Sequence, residues 1–114
     1  MIKAVLYVNS DNNIVGFQVG GHAGYENIGK DIVCAAVSVL TFNTVNAIEK
    51  FTDCRFKCEQ DKSGLIRFKL LPDSEFSSEQ GKQGQILLHT LELGLINISK
   101  EYGDRYVQVH YKEV

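Results

Sequence analysis

The sequence has 114 residues, of which 44% are hydrophobic, and a formal net charge of -2. This length is close to the commonest size of one domain, so we expect residues 1–114 to form a single domain with its own core. The small net charge and the scatter of lysines and arginines along the sequence argue against a nucleic-acid partner. We expect a cytoplasmic protein without a membrane segment, because the sequence shows neither a signal-peptide core nor an apolar run of membrane-spanning length.

Five segments have the composition of β-strands. "IKAVLYVN" and "NIVGFQVG" are rich in β-branched and aromatic residues, and the intervening "SDNN" favours a turn, which predicts a hairpin. "CRFKCEQ" and "GLIRFKLL" alternate polar and apolar residues around "DKSG", which predicts a second hairpin with Gly64 in its turn. "DRYVQVHYKE" predicts a last strand near the end of the sequence.

Two segments show helical spacing of apolar residues. "DIVCAAVSVLTFNTVNAIEKF" predicts a long helix capped by Asp31, and its first half is apolar on almost every face. We therefore expect the sheet to cover one side of this helix and a second subunit or helix to cover another. "QILLHTLELGLINISKEY" predicts a second helix that ends before Gly103, after a loop "PDSEFSSEQGKQG". The order ββαββαβ predicts an α+β fold in which two long helices pack against a mostly antiparallel sheet.

Cys34 is the strongest candidate for a chemically active side chain. An odd number of cysteines without an export signal favours free thiols in a reducing compartment. With Asp31 as the cap, Cys34 is the third helical residue, where free backbone N–H groups favour the thiolate that attacks carbonyl groups. The Asp31 carboxylate opposes ionisation of the thiol, so an active Cys34 requires a nearby base.

His22 is the base available in the same segment. Eleven residues separate it from Cys34, which is enough chain for a glycine-containing lid to bring the imidazole to the helix start. The pair suits cysteine acyl transfer, in which histidine takes the thiol proton and later protonates a leaving amine. Asp31 is either the cap or the group that orients His22, and Ser38 lies one turn beyond Cys34, where it would line the pocket. A buried structural cysteine and a surface histidine fit the same pattern.

The remaining candidate residues favour structural roles. Cys54 and Cys58 are predicted to share one face of a strand and to pack in the core, because no further metal-ligating partner lies close in sequence. His89 and His110 are predicted to be packed or surface residues. "GKQG" lacks the preceding strand of a phosphate-binding loop. We therefore expect no metal and no cofactor.

The stretch "GGHAGYENIGKDIVCAAVS" resembles the signature of the ribosomal-processing cysteine proteases, the Prp family, in which histidine and a glycine-containing loop precede G-x-D-I-V-C-A-A-x-S. The resemblance implies a bacterial endopeptidase that removes an N-terminal extension from a large-subunit ribosomal protein, the twenty-seventh. His22 and Cys34 fall on the family's catalytic pair, and Gly21, Asp31 and Ser38 fall on positions associated with the site or its loop. The resemblance also implies a homodimer and cleavage after an aromatic residue that ends an apolar segment. The rival interpretations are a non-catalytic ribosome-assembly or peptide-binding module and a cysteine hydrolase with another substrate.

Overall fold

The computed structural model describes residues 1–21 and 28–114, and the side chains of residues 28–31 also lie outside its described part. The predicted elements are present there in the predicted order, so the α+β prediction is confirmed. The elements are β1 (Ile2–Val8), β2 (Ile14–Gly20), α1 (Ile28–Phe51), β3 (Phe56–Gln60), β4 (Ile66–Leu70), α2 (Glu79–Tyr102) and β5 (Val107–Glu113).

The five strands form one mixed sheet in the order β3-β4-β2-β1-β5. The two predicted hairpins, β1–β2 and β3–β4, are antiparallel, and β2 pairs antiparallel with β4. β5 pairs in parallel with β1, which the long crossover through α2 allows. The sheet is therefore mostly antiparallel, with one parallel pair at an edge.

Both helices pack on one face of the sheet, where alternate strand residues form the core. Leu6, Phe17 and Phe68 follow one another across three neighbouring strands and are almost completely buried. The Phe17 and Phe68 rings stack with their centroids 4.9 Å apart. The helices complete the core with buried aliphatic side chains, namely Val33, Val37, Val45 and Ile48 of α1 and Leu88, Leu91 and Leu95 of α2.

A buried glutamine joins the first half of α2 to the start of β2. The Gln85 side chain accepts a hydrogen bond from the Ile14 N–H at 2.7 Å and donates one to the Ile14 carbonyl at 2.8 Å. Both backbone groups of Ile14 are thus satisfied by one side chain, which fixes the helix in register with the strand.

Both helices begin earlier than the sequence predicts. α1 begins at Ile28, so Asp31 is its fourth residue and the prediction that Asp31 is the cap is wrong. α2 begins at Glu79, and the Ser78 side chain caps it by accepting from the Gly81 N–H at 3.0 Å. Both predictions placed the helix start too late because glycine usually marks a loop, whereas Gly29 lies inside α1 and Gly81 and Gly84 lie inside α2. In α2 they serve close packing, since a Cβ at Gly81 would clash with the Glu75 carbonyl.

α1 is more apolar than a helix that is covered on one side only. Its stretch Ile32–Phe51 is long and apolar enough to cross a membrane by length and composition, contrary to the expectation from the sequence. One side of that stretch, with Val33, Val37, Val45 and Ile48, is buried in the core, as expected for a helix of a globular domain. On other sides Ile32 is 50% exposed and Val39 is 70% exposed. α2 supplies the predicted second cover on one side of α1, where Leu40 lies against Gly94, but the described part of the chain leaves the side with Ile32 and Val39 uncovered.

Candidate active site

Cys34 lies on the second turn of α1 and lines a small pocket of about 60 Å³ at the end of β2. Its side chain is half-buried, and it packs against the core on one side. Three structural units meet at the pocket, namely helix α1, the adjoining ends of β1 and β2, and the β3–β4 turn. The other lining residues are mostly apolar or glycine: Ile2, Val19, Gly20, Gly21, Val37, Ser38, Thr41, Gly64 and Ile66.

Helical spacing places two hydroxyl side chains in the same pocket. Ser38 and Thr41 follow Cys34 by four and seven residues, so the three lie along one side of α1. The Thr41 hydroxyl is fully buried and donates to the Val37 carbonyl at 2.7 Å, which makes Thr41 a structural part of the wall. Ser38 is exposed. The predicted proximity of Ser38 to Cys34 is confirmed.

Gly21 forms the pocket wall where the chain leaves β2. Its φ of +105° lies in the region that favours glycine, and a Cβ there would clash with the Met1 carbonyl. Gly21 is also the residue directly before His22. The structure therefore brings Gly21, Cys34 and Ser38 to one pocket, whereas His22, the predicted lid that follows it and the side chain of Asp31 lie outside the described residues.

The pocket lining sets the electrostatic conditions for the thiol. Among its described residues none carries a charged side chain, so a thiolate at Cys34 would have no lining cation to stabilise it there. Its position in the second turn also leaves the Cys34 N–H inside the helical hydrogen-bond ladder. The predicted placement of Cys34 in the first turn is therefore wrong.

The other two cysteines occupy different surroundings. Cys54 is half-buried, and its thiol donates to the Gln80 carbonyl at 3.3 Å, which confirms a packing role. Cys58 is exposed because β3 is an edge strand, so the prediction of core packing is wrong for this residue. Partial desolvation and the neighbouring Glu59 carboxylate raise the pKa of the Cys58 thiol. Among the described side chains, those of residues 1–21 and 32–114, no three from His, Cys, Asp or Glu cluster as metal ligands.

Sequence reasoning missed most of the pocket wall. Ile2, Val19, Gly64 and Ile66 come from β1, β2, the β3–β4 turn and β4, and each resembles an ordinary core or turn residue. No local pattern marks them, because only the pairing of the strands brings them together.

A half-buried thiol at a pocket of a two-layer α+β domain is the kind of side chain that a thiol hydrolase uses as its nucleophile. The profile of the family described as Cysteine protease Prp matches residues 1–108 of this chain. The chain therefore belongs to the Prp family of ribosomal-processing cysteine proteases and is a cysteine peptidase.

Similar proteins support the same assignment. The ribosomal processing cysteine protease Prp of Bacillus subtilis (strain 168) is 28% identical over 104 residues, covering 91% of this chain and 92% of the relative. A crystal structure of the essential ribosomal processing protease Prp from S. aureus with a covalently linked product peptide is 28% identical and aligns with a TM-score of 0.82. The S. aureus protease with a substrate peptide is 27% identical and aligns with a TM-score of 0.84. Both alignments cover 98% of this chain and 100% of the other.

Proposed function

We propose that the protein removes the N-terminal extension of the twenty-seventh large-subunit ribosomal protein by acyl transfer, with Cys34 as the nucleophile and His22 as the general base. One observation carries the proposal: Gly21, the residue before His22, lines the same pocket as Cys34. The S. aureus structures with substrate and covalently linked product peptides support peptide cleavage as the reaction. This function also assigns the protein to the cytoplasm, where ribosomal proteins are synthesised.

The proposed reaction has two half-steps. In the first, the His22 imidazole takes the Cys34 proton, and the sulfur attacks the peptide carbonyl carbon to form a tetrahedral intermediate. The imidazolium returns this proton to the leaving amine as the C–N bond breaks, which leaves a thioester on Cys34. In the second, His22 takes a proton from water, the hydroxyl attacks the thioester, and Cys34 leaves as the thiol after receiving that proton. The described pocket lining contains no side chain that could act as the base, and this supports His22 as the group that accepts the Cys34 proton.

The pocket lining also bears on the substrate. Ile2, Val19 and Ile66 present apolar surface beside Cys34, which suits a substrate whose cleavage site ends an apolar segment. The described lining borders a space of about 60 Å³ beside the Cys34 side chain, where the carbonyl group of the cleaved peptide bond is expected to lie.

The test uses a peptide copied from the N-terminus of the host's ribosomal protein. Cys34→Ala and His22→Ala should each abolish cleavage measured by mass spectrometry, whereas the matched variant Cys58→Ala should cleave at the wild-type rate because Cys58 does not line the pocket. Cleavage by Cys34→Ala would exclude this thiol as the nucleophile. Binding without cleavage by the wild type would favour a peptide-binding module, and cleavage of unrelated peptides alone would favour another substrate.

We further propose that the exposed apolar side of α1 packs against a second copy of the chain. Ile32, Val39 and Phe42 are 50%, 70% and 38% exposed, and an open groove beside them runs between α1 and α2. Ala35, Ala36 and Gly94 line this groove, and small residues allow helices to approach closely. A two-fold axis would pair this surface with itself, which is the commonest geometry of homo-oligomers.

Light scattering coupled to size-exclusion chromatography tests the dimer. The wild type should elute with twice the chain mass, and Val39→Lys should convert it to the monomer because a buried lysine in that interface would lack a partner. Asp11→Lys, an exposed charge reversal in the β1–β2 turn away from both helices, is the matched control and should remain dimeric. A monomeric wild type would contradict the proposal.

A further inference from the structure

The face of the sheet opposite the helices gathers positive charge. The strand residues that alternate with the core positions are Lys3 of β1, Lys57 of β3, Arg67 and Lys69 of β4, and Lys112 of β5, all of them exposed. They represent five of the 12 lysines and arginines of the chain. Among the described strand residues, Glu59 is the one carboxylate on this face. An acidic protein thus carries a basic sheet face, defined here by those five basic residues and the side chains between them.

The strand register aligns part of this basic face in one row. Lys57 lies opposite Lys69, Lys69 opposite Gly16, Gly16 opposite Tyr7, and Tyr7 opposite Lys112, so the row crosses all five strands. Adjacent strands lie about 4.8 Å apart, so the row is about 19 Å long. Two lysines therefore stand at one end and one at the other, with an uncharged centre formed by Gly16 and Tyr7.

Edge protection explains only some of these charges. Lysines on edge strands prevent sheets from pairing with one another, which accounts for Lys57 and Lys112. Lys69 and Lys3 lie on interior strands, where that function is not needed. Lysines directly opposite each other, such as Lys57 and Lys69, also repel and destabilise the sheet slightly. The fold itself therefore gives no reason for this concentration of cations.

The centre of the row is a shallow hollow with an aromatic wall. It has a volume of about 390 Å³ and is lined by Tyr7, Val15, Gly16, Arg67 and Lys69, among others. The hollow is built into the backbone, because a Cβ at Gly16 would lie 2.7 Å from the Phe68 carbonyl oxygen. Arg67 has a carboxylate partner in Asp61 at 3.8 Å, but its side chain remains 48% exposed. A planar apolar group can thus enter the hollow while anionic groups on either side meet the lysines.

We propose that the basic sheet face binds single-stranded RNA, with phosphates on the lysine positions and a base against Tyr7. Nonspecific single-strand binders combine cations that follow the backbone with aromatic side chains on which bases stack, and an open sheet backed by helices is a common platform for this. An acidic polypeptide would satisfy the lysines but would make no use of the aromatic hollow. The even spread of basic residues along the sequence concealed this face, because only the strand register brings them together.

Binding of a fluorescently labelled oligouridylate, measured by anisotropy over a range of salt concentrations, tests the proposal. The double variant Lys57→Gln/Lys69→Gln should reduce the slope of log affinity against log salt by about 1.4, since each phosphate that is no longer neutralised lowers the slope by about 0.7. Lys50→Gln/Lys100→Gln is the matched control, since both lysines are exposed at the ends of the helices, and it should leave the slope unchanged. Tyr7→Leu should weaken binding at least about fivefold, and Tyr7→Phe should retain it.

Several results would overturn the proposal. These are an absence of saturable binding at low salt, an equal loss in the Lys50 and Lys100 control, and unchanged binding by Tyr7→Leu. Polyglutamate binding as tightly as oligouridylate would instead indicate an acidic protein partner, and tighter binding of duplex RNA would exclude the single-strand mode. Cleavage of the free substrate peptide should be the same in the wild type and the lysine variants, and Cys34→Ala should still bind RNA, so this surface and the proposed peptidase function can fail separately.

Discussion

The two ends of β2 differ in how they use a half-buried cysteine. At the Ile14 end, the Cys54 thiol donates to the Gln80 carbonyl and lies against Gly84, and Gln85 satisfies both backbone groups of Ile14. At the Gly20 end, Cys34 lines a pocket whose described walls carry no charge. Cys54 also lines a cavity of about 220 Å³, but its thiol hydrogen is engaged by a backbone carbonyl of α2, so the first arrangement secures helix α2 to the sheet. The second arrangement places the Cys34 thiol at a smaller pocket of about 60 Å³ between α1 and the ends of the strands. Space beside the sulfur therefore does not separate the two cysteines, whereas the hydrogen bond from Cys54 to the Gln80 carbonyl marks that thiol as structural.

The largest expected effect separates the two thiols by activity. Cys34→Ala should lower the rate of peptide cleavage by at least about a thousandfold, because it removes the proposed nucleophile. Cys54→Ala should retain cleavage and instead reduce the free energy of unfolding by about 1 kcal/mol, because it removes packing and a hydrogen bond. Single-turnover cleavage assays and urea unfolding measure the two effects. Equal loss of activity in both variants would remove the distinction between the two ends.

The next effect concerns stability at the Ile14 end. Gln85→Leu leaves the Ile14 N–H and carbonyl buried without their partner, which should cost about 2–4 kcal/mol of unfolding free energy. Gln83→Leu, an exposed change on the same helix, is the matched control and should cost less than about 0.5 kcal/mol. Urea unfolding measures both, and cleavage per folded molecule should be the same in each. A Gln85→Leu variant as stable as the control would show that Gln85 does not secure α2.

Gly21 tests the pocket end by backbone conformation. Gly21→Ala should cost about 1–3 kcal/mol in unfolding free energy and should slow cleavage, because its φ of +105° is strained for alanine and a Cβ clashes with the Met1 carbonyl. Gly103→Ala has nearly the same φ, +104°, with nothing within 4 Å of the new Cβ. It should show the strain cost alone and leave the cleavage rate unchanged. Slowed cleavage in both variants would indicate a global effect.

The smallest expected effect is on stability and concerns Tyr111, which lies away from both ends of β2. Tyr111 of β5 donates a hydrogen bond to the Glu92 carboxylate at 2.5 Å, and burial, reinforced by Glu92, raises the pKa of Tyr111 to about 12. The folded protein holds this proton more tightly than the unfolded chain, so the stabilisation is present below about pH 10 and is lost as the pH rises through about 12. Because Tyr111 is half exposed, Tyr111→Phe should cost less than about 1 kcal/mol at pH 7.

Urea unfolding of wild type and Tyr111→Phe at neutral and alkaline pH measures this contribution. The difference between the two proteins should shrink as the pH rises above 10, and cleavage at neutral pH should be unchanged because Tyr111 does not line the Cys34 pocket. A constant difference across that range would show that Glu92 does not stabilise the protonated tyrosine.

The strand and helix order was predictable because each element carries its own local signal. Alternation in "GLIRFKLL" and helical spacing in "QILLHTLELGLINISKEY" depend only on neighbouring residues. The start of α2 at Glu79 was not predictable, since Gly81 and Gly84 are accepted in this helix for close contacts with the Glu75 carbonyl and the Cys54 thiol, which only the folded chain brings there.

The part of the site that depends on neighbouring residues along one helix was also predictable. Ser38 follows Cys34 by one helical turn, so a local rule places both in one pocket. Ile2, Gly64 and Ile66 reach that pocket through the pairing of strands that are far apart in the sequence. The basic sheet face depends on the same pairing, because Lys57, Lys69 and Lys112 are neighbours only in the register of the folded sheet.

Covalent trapping most directly tests whether Cys34 is the nucleophile. The wild type, incubated with a substrate-derived peptide that ends in a chloromethyl ketone, should gain the mass of one peptide adduct, mapped by digestion to Cys34. The adduct should be absent from Cys34→Ala, should form more slowly in His22→Ala, and should form at the wild-type rate in Cys58→Ala. An adduct on Cys54 or Cys58 in the wild type, or an equal rate with and without His22, would contradict a Cys34 nucleophile activated by His22.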